Sequence, residues 1–183
     1  MPTILLEPHP DSPPESVDRI RVDCTTTARS ELRLTYVLDG DTGDIVIPEA
    51  RPTPRRQDGL WQTTCFEVFL RVGQNPVYWE FNFSPSGDWA AYRFSDYRDG
   101  MTSPALPRPP RIAFERSPRQ LVLRAEIDLA PLTLERSAAR ELHGTISAIV
   151  EGPAGNKSYW ASKHPAGKPD FHHPDNFVPL FAS

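Results

Sequence analysis

The sequence lacks any long apolar run, since no stretch approaches the ~20 apolar residues of a membrane-spanning helix. It also lacks an excess of positive charge: 20 basic and 24 acidic residues give a formal net charge of -4, with no long run of either sign. Nucleic acids and anionic membrane surfaces are bound through basic patches. The composition therefore predicts neither a nucleic-acid partner nor a membrane partner.

Cysteine is scarce, because Cys24 and Cys65 are the only two and allow one disulfide at most. The first 15 residues show no positive region followed by an apolar segment, so they do not match a secretory signal. Without an export signal, reduced thiols are the better expectation. We therefore expect a cytoplasmic protein.

Proline, in contrast, is abundant, with 21 in 183 residues. A proline in a helix interior removes a hydrogen bond and clashes with the preceding turn, so this density argues against a mostly helical fold. The prolines gather at 51–54, 104–110 and 165–174, between segments in which apolar and polar residues alternate. The sequence favours one all-β domain over residues 1–183, with prolines in its loops.

Alternation of apolar and polar residues is typical of half-buried strands. It predicts strands at 17–27, 31–38, 63–72, 77–84, 89–95, 120–129, 145–151 and 157–163, with short edge strands at 3–7 and 45–47. Only 132–142 has a helical pattern, of a turn or two. Many short strands separated by turns predict an antiparallel β-sandwich with at most one short helix.

Two neighbouring strands place polar and aromatic side chains on one face. The short turn at 73–76 makes 63–72 and 77–84 expected hairpin partners. If their mainly apolar faces point into the core, the opposite face carries a mixed group of side chains: Glu67, Phe69, Tyr78, Glu80 and Asn82. Arg124 occupies the corresponding face of a later strand. Such a face suits a hydroxyl-rich or planar ligand, although cross-strand ion pairs of Glu67 or Glu80 with Arg71 or Arg124 fit the same pattern.

A second concentration of functional groups lies near the C-terminus, where His164, Asp170 and His172 are the candidate metal ligands. Their spacing matches neither the strand nor the helix pattern of zinc sites. We expect no metal there, and expect Asp170 and one histidine to hold a proline-rich loop by bonding its backbone.

Four segments resemble known ligand-binding domains. The sequences LWQTTCFEVFL at 60–70 and YWEFNFSPSGDWAAY at 78–92 resemble conserved blocks of the DOMON-like domains. The segments YWA at 159–161 and KPDFH at 168–172 are similar to the bacterial branch related to family-nine carbohydrate-binding modules.

This resemblance implies a β-sandwich of jelly-roll or immunoglobulin-like type whose concave face holds a ligand, a sugar in some members and haem in others. The related modules clamp a sugar between two tryptophans above polar side chains. Trp61, with Tyr159 or Trp160, is the corresponding pair here, whereas alternation points Trp79 into the core.

We therefore predict a non-enzymatic protein that binds a small molecule, with a carbohydrate or a related polar ligand favoured. The expected ligand-binding residues are Trp61, Glu67, Tyr78, Glu80, Asn82, Tyr92, Arg124, Tyr159 and Trp160. Three alternatives stay open: an interaction domain with a filled pocket, haem binding, and a hydrolase that uses Glu67 and Glu80. No cofactor is predicted.

Overall fold

The computed structural model describes residues 3–27, 30–132 and 141–181. It contains eleven strands in these ranges: β1 Thr3–Pro8, β2 Val17–Thr26, β3 Glu31–Gly40, β4 Cys65–Val72, β5 Tyr78–Phe83, β6 Trp89–Phe94, β7 Arg111–Ser117, β8 Gln120–Asp128, β9 Leu142–Glu151, β10 Lys157–Ala161 and β11 Val178–Pro179. The helical segments that it describes are 3-10 turns of three residues, and none of its helices has the length and apolar content to cross a membrane. The predicted all-β class is confirmed.

The strands form two antiparallel sheets joined through β1. The first sheet has the order β1-β2-β3-β8-β7, and the second has the order β6-β5-β4-β9-β10, with β11 beside the start of β9. The first part of β1 pairs with β2, and its last two residues, Glu7 and Pro8, pair with β10. This shared strand joins the two sheets at one side.

The main core lies between the two sheets. One face of β4 contributes Phe66, Val68 and Leu70 to it, and one face of β8 in the other sheet contributes Leu121 and Leu123. A second apolar cluster contains residues of the second sheet together with Leu60, Phe171 and Phe177 from loops. Because successive side chains of a strand point to opposite faces, this second cluster covers the outer face of that sheet.

Most predicted strands are present, and the differences concern edges. β7 and β11 were not predicted, and the edge strand expected at 45–47 is instead extended chain, in which Val46 N donates to Glu151 O over 2.9 Å. Most of the helix expected at 132–142 falls on 133–140, outside the described residues. The predicted β4–β5 hairpin forms as expected, with Glu67 opposite Asn82.

Both cysteines are free and buried, as expected for reduced thiols. Cys24 lies on β2 in the main core, and Cys65 lies on β4 in the outer cluster. Burial raises the pKa of the Cys24 thiol to about 12. Burial likewise raises the pKa of the Cys65 thiol, so both groups act as small apolar fillers.

Candidate ligand-binding site

A pocket of about 360 Å³ opens on the outer face of the second sheet. Its walls come from β4, β5, β6, β9 and β10 and from the loops that follow β6 and β10. The lining residues are Trp61, Glu67, Phe69, Glu80, Tyr92, Phe94, Arg98, Met101, Ile149, Tyr159, Pro169, Phe171 and His172. The volume lies at the small end of the range of about 300–1,000 Å³ for small-molecule sites.

Two buried carboxyls form the polar floor of this pocket. Glu67 on β4 is 2% exposed and Glu80 on β5 is 6% exposed. Glu80 lies opposite Phe69, two residues from the Glu67–Asn82 pair, so the two glutamates are diagonal neighbours across the hairpin. Ser147 Oγ donates to Glu67 Oε2 over 3.4 Å, and Asn82 Nδ2 donates to Glu80 Oε1 over 2.9 Å.

The environment of these carboxyls favours their protonated forms. Burial, followed by the proximity of Glu80, raises the pKa of Glu67 well above its ordinary value. Burial raises the pKa of Glu80 to about 7, although the hydrogen bond from Asn82 and the charge of Arg98 oppose the shift. In the described residues, neither carboxyl forms an ion pair with a lysine or an arginine. Both glutamates are therefore protonated to a large extent near neutral pH.

His172 lies beside Glu80 as a neutral imidazole. Burial, and then the charge of Arg98, lowers the pKa of His172 to about 4. The Tyr78 hydroxyl accepts a hydrogen bond from Arg98 N over 3.1 Å and lies 2.8 Å from His172 Nδ1. The phenol proton is free to donate to Nδ1, which leaves the ring proton on Nε2, 3.7 Å from Glu80 Oε2. That separation exceeds hydrogen-bond distance, and a neutral ring forms no ion pair with Glu80.

Aromatic side chains surround the carboxyls. Trp61 stands at the mouth, 41% exposed, because the 3-10 turn Leu60–Gln62 carries it out of the sheet just before β4. Its ring meets that of Tyr92 edge to face, with centroids 6.0 Å apart. Tyr159 and Phe171 line the opposite wall, with centroids 6.2 Å apart. A flat, partly apolar ligand has ring surfaces available on two sides.

Two loops close over one end of the pocket and are tied together by Asp170. Asp170 accepts hydrogen bonds from Tyr97 Oη over 2.5 Å, from Arg98 Nη2 over 2.7 Å and from His172 N over 3.1 Å. Burial alone raises the pKa of Asp170, but the hydrogen bonds from Tyr97 and Arg98 outweigh it, and the pKa is lowered. Arg98 adopts a left-handed backbone with φ of 52°. This conformation aims its N–H at the Tyr78 hydroxyl.

Asp170 and a histidine bond the loop backbone, as the sequence indicates. Asp170 accepts from His172 N, and His173 Nδ1 accepts from Asp175 N over 3.3 Å. His164 Nε2 contacts Glu7 O over 2.8 Å, away from the pocket. Within the described ranges, no group of three or more His, Cys, Asp or Glu side chains converges on a point where a metal ion would bind.

Five residues predicted as ligand contacts line the pocket together: Trp61, Glu67, Glu80, Tyr92 and Tyr159. Tyr78 and Asn82 lie directly behind this lining, because Tyr78 holds His172 and Asn82 holds Glu80.

The structure places the other two predicted contacts, Arg124 and Trp160, elsewhere. Arg124 belongs to β8 in the first sheet, where it pairs with Glu115 over 2.6 Å. Alternation fixes which face of a strand a residue occupies but not the sheet to which the strand belongs. Trp160 is 2% exposed in the main core, because its neighbour Tyr159 already points to the outer face.

Arg98, Met101 and Phe171 line the pocket and were not predicted. All three come from loops, where no periodicity marks which side chains turn inward. The one sequence feature that indicated a role for the C-terminal loop in the pocket was the aromatic and charged composition of the KPDFH segment at 168–172.

The pocket residues do not fit haem. Met101 and His172 both line the pocket, and such a pair is one known set of haem ligands. However, His172 Nδ1 is held by Tyr78, and Nε2 faces the buried carboxyl of Glu80. Nδ1 is therefore not available to bind iron, and the Glu80 carboxyl, 3.7 Å from Nε2, occupies space that an iron on Nε2 would need.

No protein-family model matches the chain, and a search of curated proteins found no match. Among solved structures, the chain is similar to a candidate carbohydrate-binding protein from Bacteroides uniformis, with a TM-score of 0.73, 14% identity and coverage of 97% of this chain and 84% of that chain. It also matches a family 9 carbohydrate-binding module from Caldicellulosiruptor kristjanssonii in complex with glucose, with a TM-score of 0.49, 13% identity and coverage of 87% and 74%. At 14% identity, the similarity to the Bacteroides uniformis protein shows a common fold.

Proposed function

We propose that this protein binds a small carbohydrate or polyol in the outer-face pocket without transforming it. The observation that carries the proposal is the pair of buried carboxyls, Glu67 and Glu80, on the floor of an open pocket with aromatic walls. Carboxyls bind adjacent hydroxyls through two oxygens, and aromatic rings cover the apolar faces of a sugar ring. The fold shared with the Bacteroides uniformis protein, described as a candidate carbohydrate-binding protein, supports the same ligand class.

The resemblance to DOMON-like domains belongs to this proposal. The block at 60–70 contains Trp61 and most of β4, and the block at 78–92 contains β5 and most of β6. Together they supply Glu67, Glu80 and Tyr92 to the pocket. The two free cysteines support a reducing location such as the cytoplasm.

Binding without catalysis is favoured over glycoside hydrolysis by the protonation of the floor. A glycosidase requires one protonated carboxyl and one ionised carboxyl that serves as nucleophile or base. Burial raises the pKa of both carboxyls, Glu80 to about 7 and Glu67 well above its ordinary value, so the site does not hold one of them as an ionised base. The pocket volume of about 360 Å³ also argues against an interaction domain with a filled pocket.

The test is calorimetric titration of the protein with a panel of neutral monosaccharides and disaccharides. We expect at least one member to bind, and Trp61→Ala to weaken that binding by about fivefold, since loss of a stacking aromatic removes on the order of 1 kcal/mol. Arg124→Ala is the matched control, because Arg124 lies on the other sheet and leaves the pocket intact.

Absence of binding across the panel, or an equal loss in Trp61→Ala and Arg124→Ala, would overturn the proposal. Release of a phenol from aryl glycosides that is abolished by Glu80→Gln would instead establish a hydrolase.

A further inference from the structure

When its carboxyls ionise, the pocket floor has more hydrogen-bond acceptors than donors. Glu67 and Glu80 supply carboxyl oxygens, and the neighbouring Asn82 Oδ1 is fully buried with no hydrogen-bond partner. The side-chain donors directed at the two carboxyls are Ser147 Oγ, Asn82 Nδ2 and the weak thiol donor of Cys65. A buried acceptor without a donor is unfavourable, so this group is complementary to a ligand rich in N–H or O–H donors.

The charge of the pocket lacks a matching cation. Arg98 is the one arginine or lysine among the lining residues, and its guanidinium is bound to Asp170 over 2.7 Å. His172 is neutral, because burial lowers its pKa to about 4. If the floor carboxyls ionise, the described residues therefore contain no free positive charge at the floor to balance them.

The walls also favour a cation. Trp61, Tyr92 and Tyr159 present aromatic rings around the floor, with Phe69 and Phe171 beside them. The faces of aromatic rings attract positive charge, and ammonium groups are bound by cages of such rings. A protonated amine carries three N–H donors and no acceptor, which matches both the rings and the floor.

We propose that the pocket is specific for an amine-bearing ligand, an amino sugar whose ammonium group lies on Glu67 and Glu80. This inference rests on the proposed function for the sugar part of the ligand. It adds that a sugar bearing a protonated amine binds more tightly than the neutral sugar of the same configuration.

Binding of the ammonium ionises a floor carboxyl. The carboxyl O–H bond breaks, its proton passes to solvent, and the ammonium keeps its own charge as it pairs with the carboxylate. The titratable and charged groups that face Glu80 from the surrounding elements are Cys65 and Glu67 on β4, Tyr78 on β5, Tyr92 on β6 with Asp58 behind it, and Arg98, Asp170 and His172 in the loops. Among them, Glu67 and Glu80 are the groups that release the proton.

The experiment titrates the protein with glucose, glucosamine and N-acetylglucosamine, with the corresponding galactose and mannose series, and with methylammonium. We expect the amino sugar of at least one series to bind on the order of tenfold more tightly than both its neutral relatives, as one added charge-assisted hydrogen bond provides. We also expect proton release, seen as binding heats that differ between buffers of different ionisation enthalpy.

Isosteric variants identify the floor as the source of the preference. Glu67→Gln and Glu80→Gln keep the shape of the side chain and remove its charge, so we expect the ratio of amino-sugar affinity to neutral-sugar affinity to fall towards unity, even where both affinities fall together. Glu115→Gln, on the first sheet, is the matched control and should keep the preference.

The outcomes separate the two proposals. Equal affinity for the amine and neutral forms, or a preference that survives in both glutamine variants, overturns the amine inference and leaves sugar binding standing. Binding of methylammonium as tight as that of the amino sugar supports the ammonium site and overturns the carbohydrate part. Absence of binding by every compound overturns both.

Discussion

Single residues determine how the pocket responds to pH. Glu80 has a folded-state pKa raised by burial from 4.5 to about 7, so the folded protein holds a proton that the unfolded chain releases. Stability from this group is fully present below pH 4.5 and is lost as the pH rises to about 7. His172 acts in the opposite sense, because burial lowers its pKa from 6.5 to about 4. Its contribution to the stability of the folded state therefore grows as the pH rises from about 4 to 6.5.

We therefore expect Glu80→Gln to become more stable relative to the wild type as the pH rises from about 5 to about 8. The gain should be of the order of a few kcal/mol, since one unit of pKa shift corresponds to about 1.4 kcal/mol. Urea unfolding of both proteins at the two pH values measures it, and the His172 contribution cancels in the difference. A stability difference that is independent of pH would show that Glu80 titrates as a solvated carboxyl.

At the scale of elements, the strands were predictable and the loops were not. Alternation identified β4, β5 and β6 and the face that carries Glu67 and Glu80, because side-chain direction in a strand has a period of two. β7 was missed because it is a charged, largely exposed edge strand that follows the proline-rich segment at 104–110. The loop that carries Arg98 has no such period, so its contribution to the pocket depends on tertiary contacts with Tyr78 and Asp170.

The two loops over the pocket act as one unit through Asp170, which leads to a prediction for Asp170→Asn. The change removes the charge that holds Arg98 and weakens the hydrogen bonds to Tyr97 and His172. Hydrogen exchange should become faster in 95–101 and 170–176, and ligand affinity should fall. The stability loss should stay near 1 kcal/mol, because Arg98 is half exposed and such pairs are weak.

Asp39→Asn is the matched control for Asp170→Asn. Asp39 also accepts several hydrogen bonds, from Arg19, Arg21 and Gln120, but it lies on the first sheet. It should lower stability slightly and leave both loops and ligand affinity unchanged. Unchanged exchange in both loops of Asp170→Asn would show that packing of Phe171 and Phe177, and not Asp170, holds them in place.

At the scale of the whole molecule, the two outer faces of the sandwich differ in character. The outer face of the first sheet carries cross-strand ion pairs, with Arg33 and Arg111 on Glu126 and Arg124 on Glu115. The alternative interpretation of the sequence pattern, ion pairs of Glu67 or Glu80 with Arg71 or Arg124, is wrong for the described residues, because Arg124 pairs with Glu115 on this sheet. The outer face of the second sheet instead carries the aromatic pocket and its buried carboxyls. No single strand reveals this asymmetry, because it depends on the sheet that each strand joins.

This asymmetry predicts where a bound ligand will protect the backbone. A ligand that binds only the folded state stabilises it by about 2.7 kcal/mol at 100 times its dissociation constant, which slows exchange through global unfolding everywhere. Exchange through local opening should slow further only in the second sheet and in the loops 95–101 and 170–177, since these form the pocket. Exchange mass spectrometry with and without saturating ligand tests this, with β3 and β8 as internal references. Added local protection in β3 and β8 equal to that in β4 and β5 would place the ligand elsewhere.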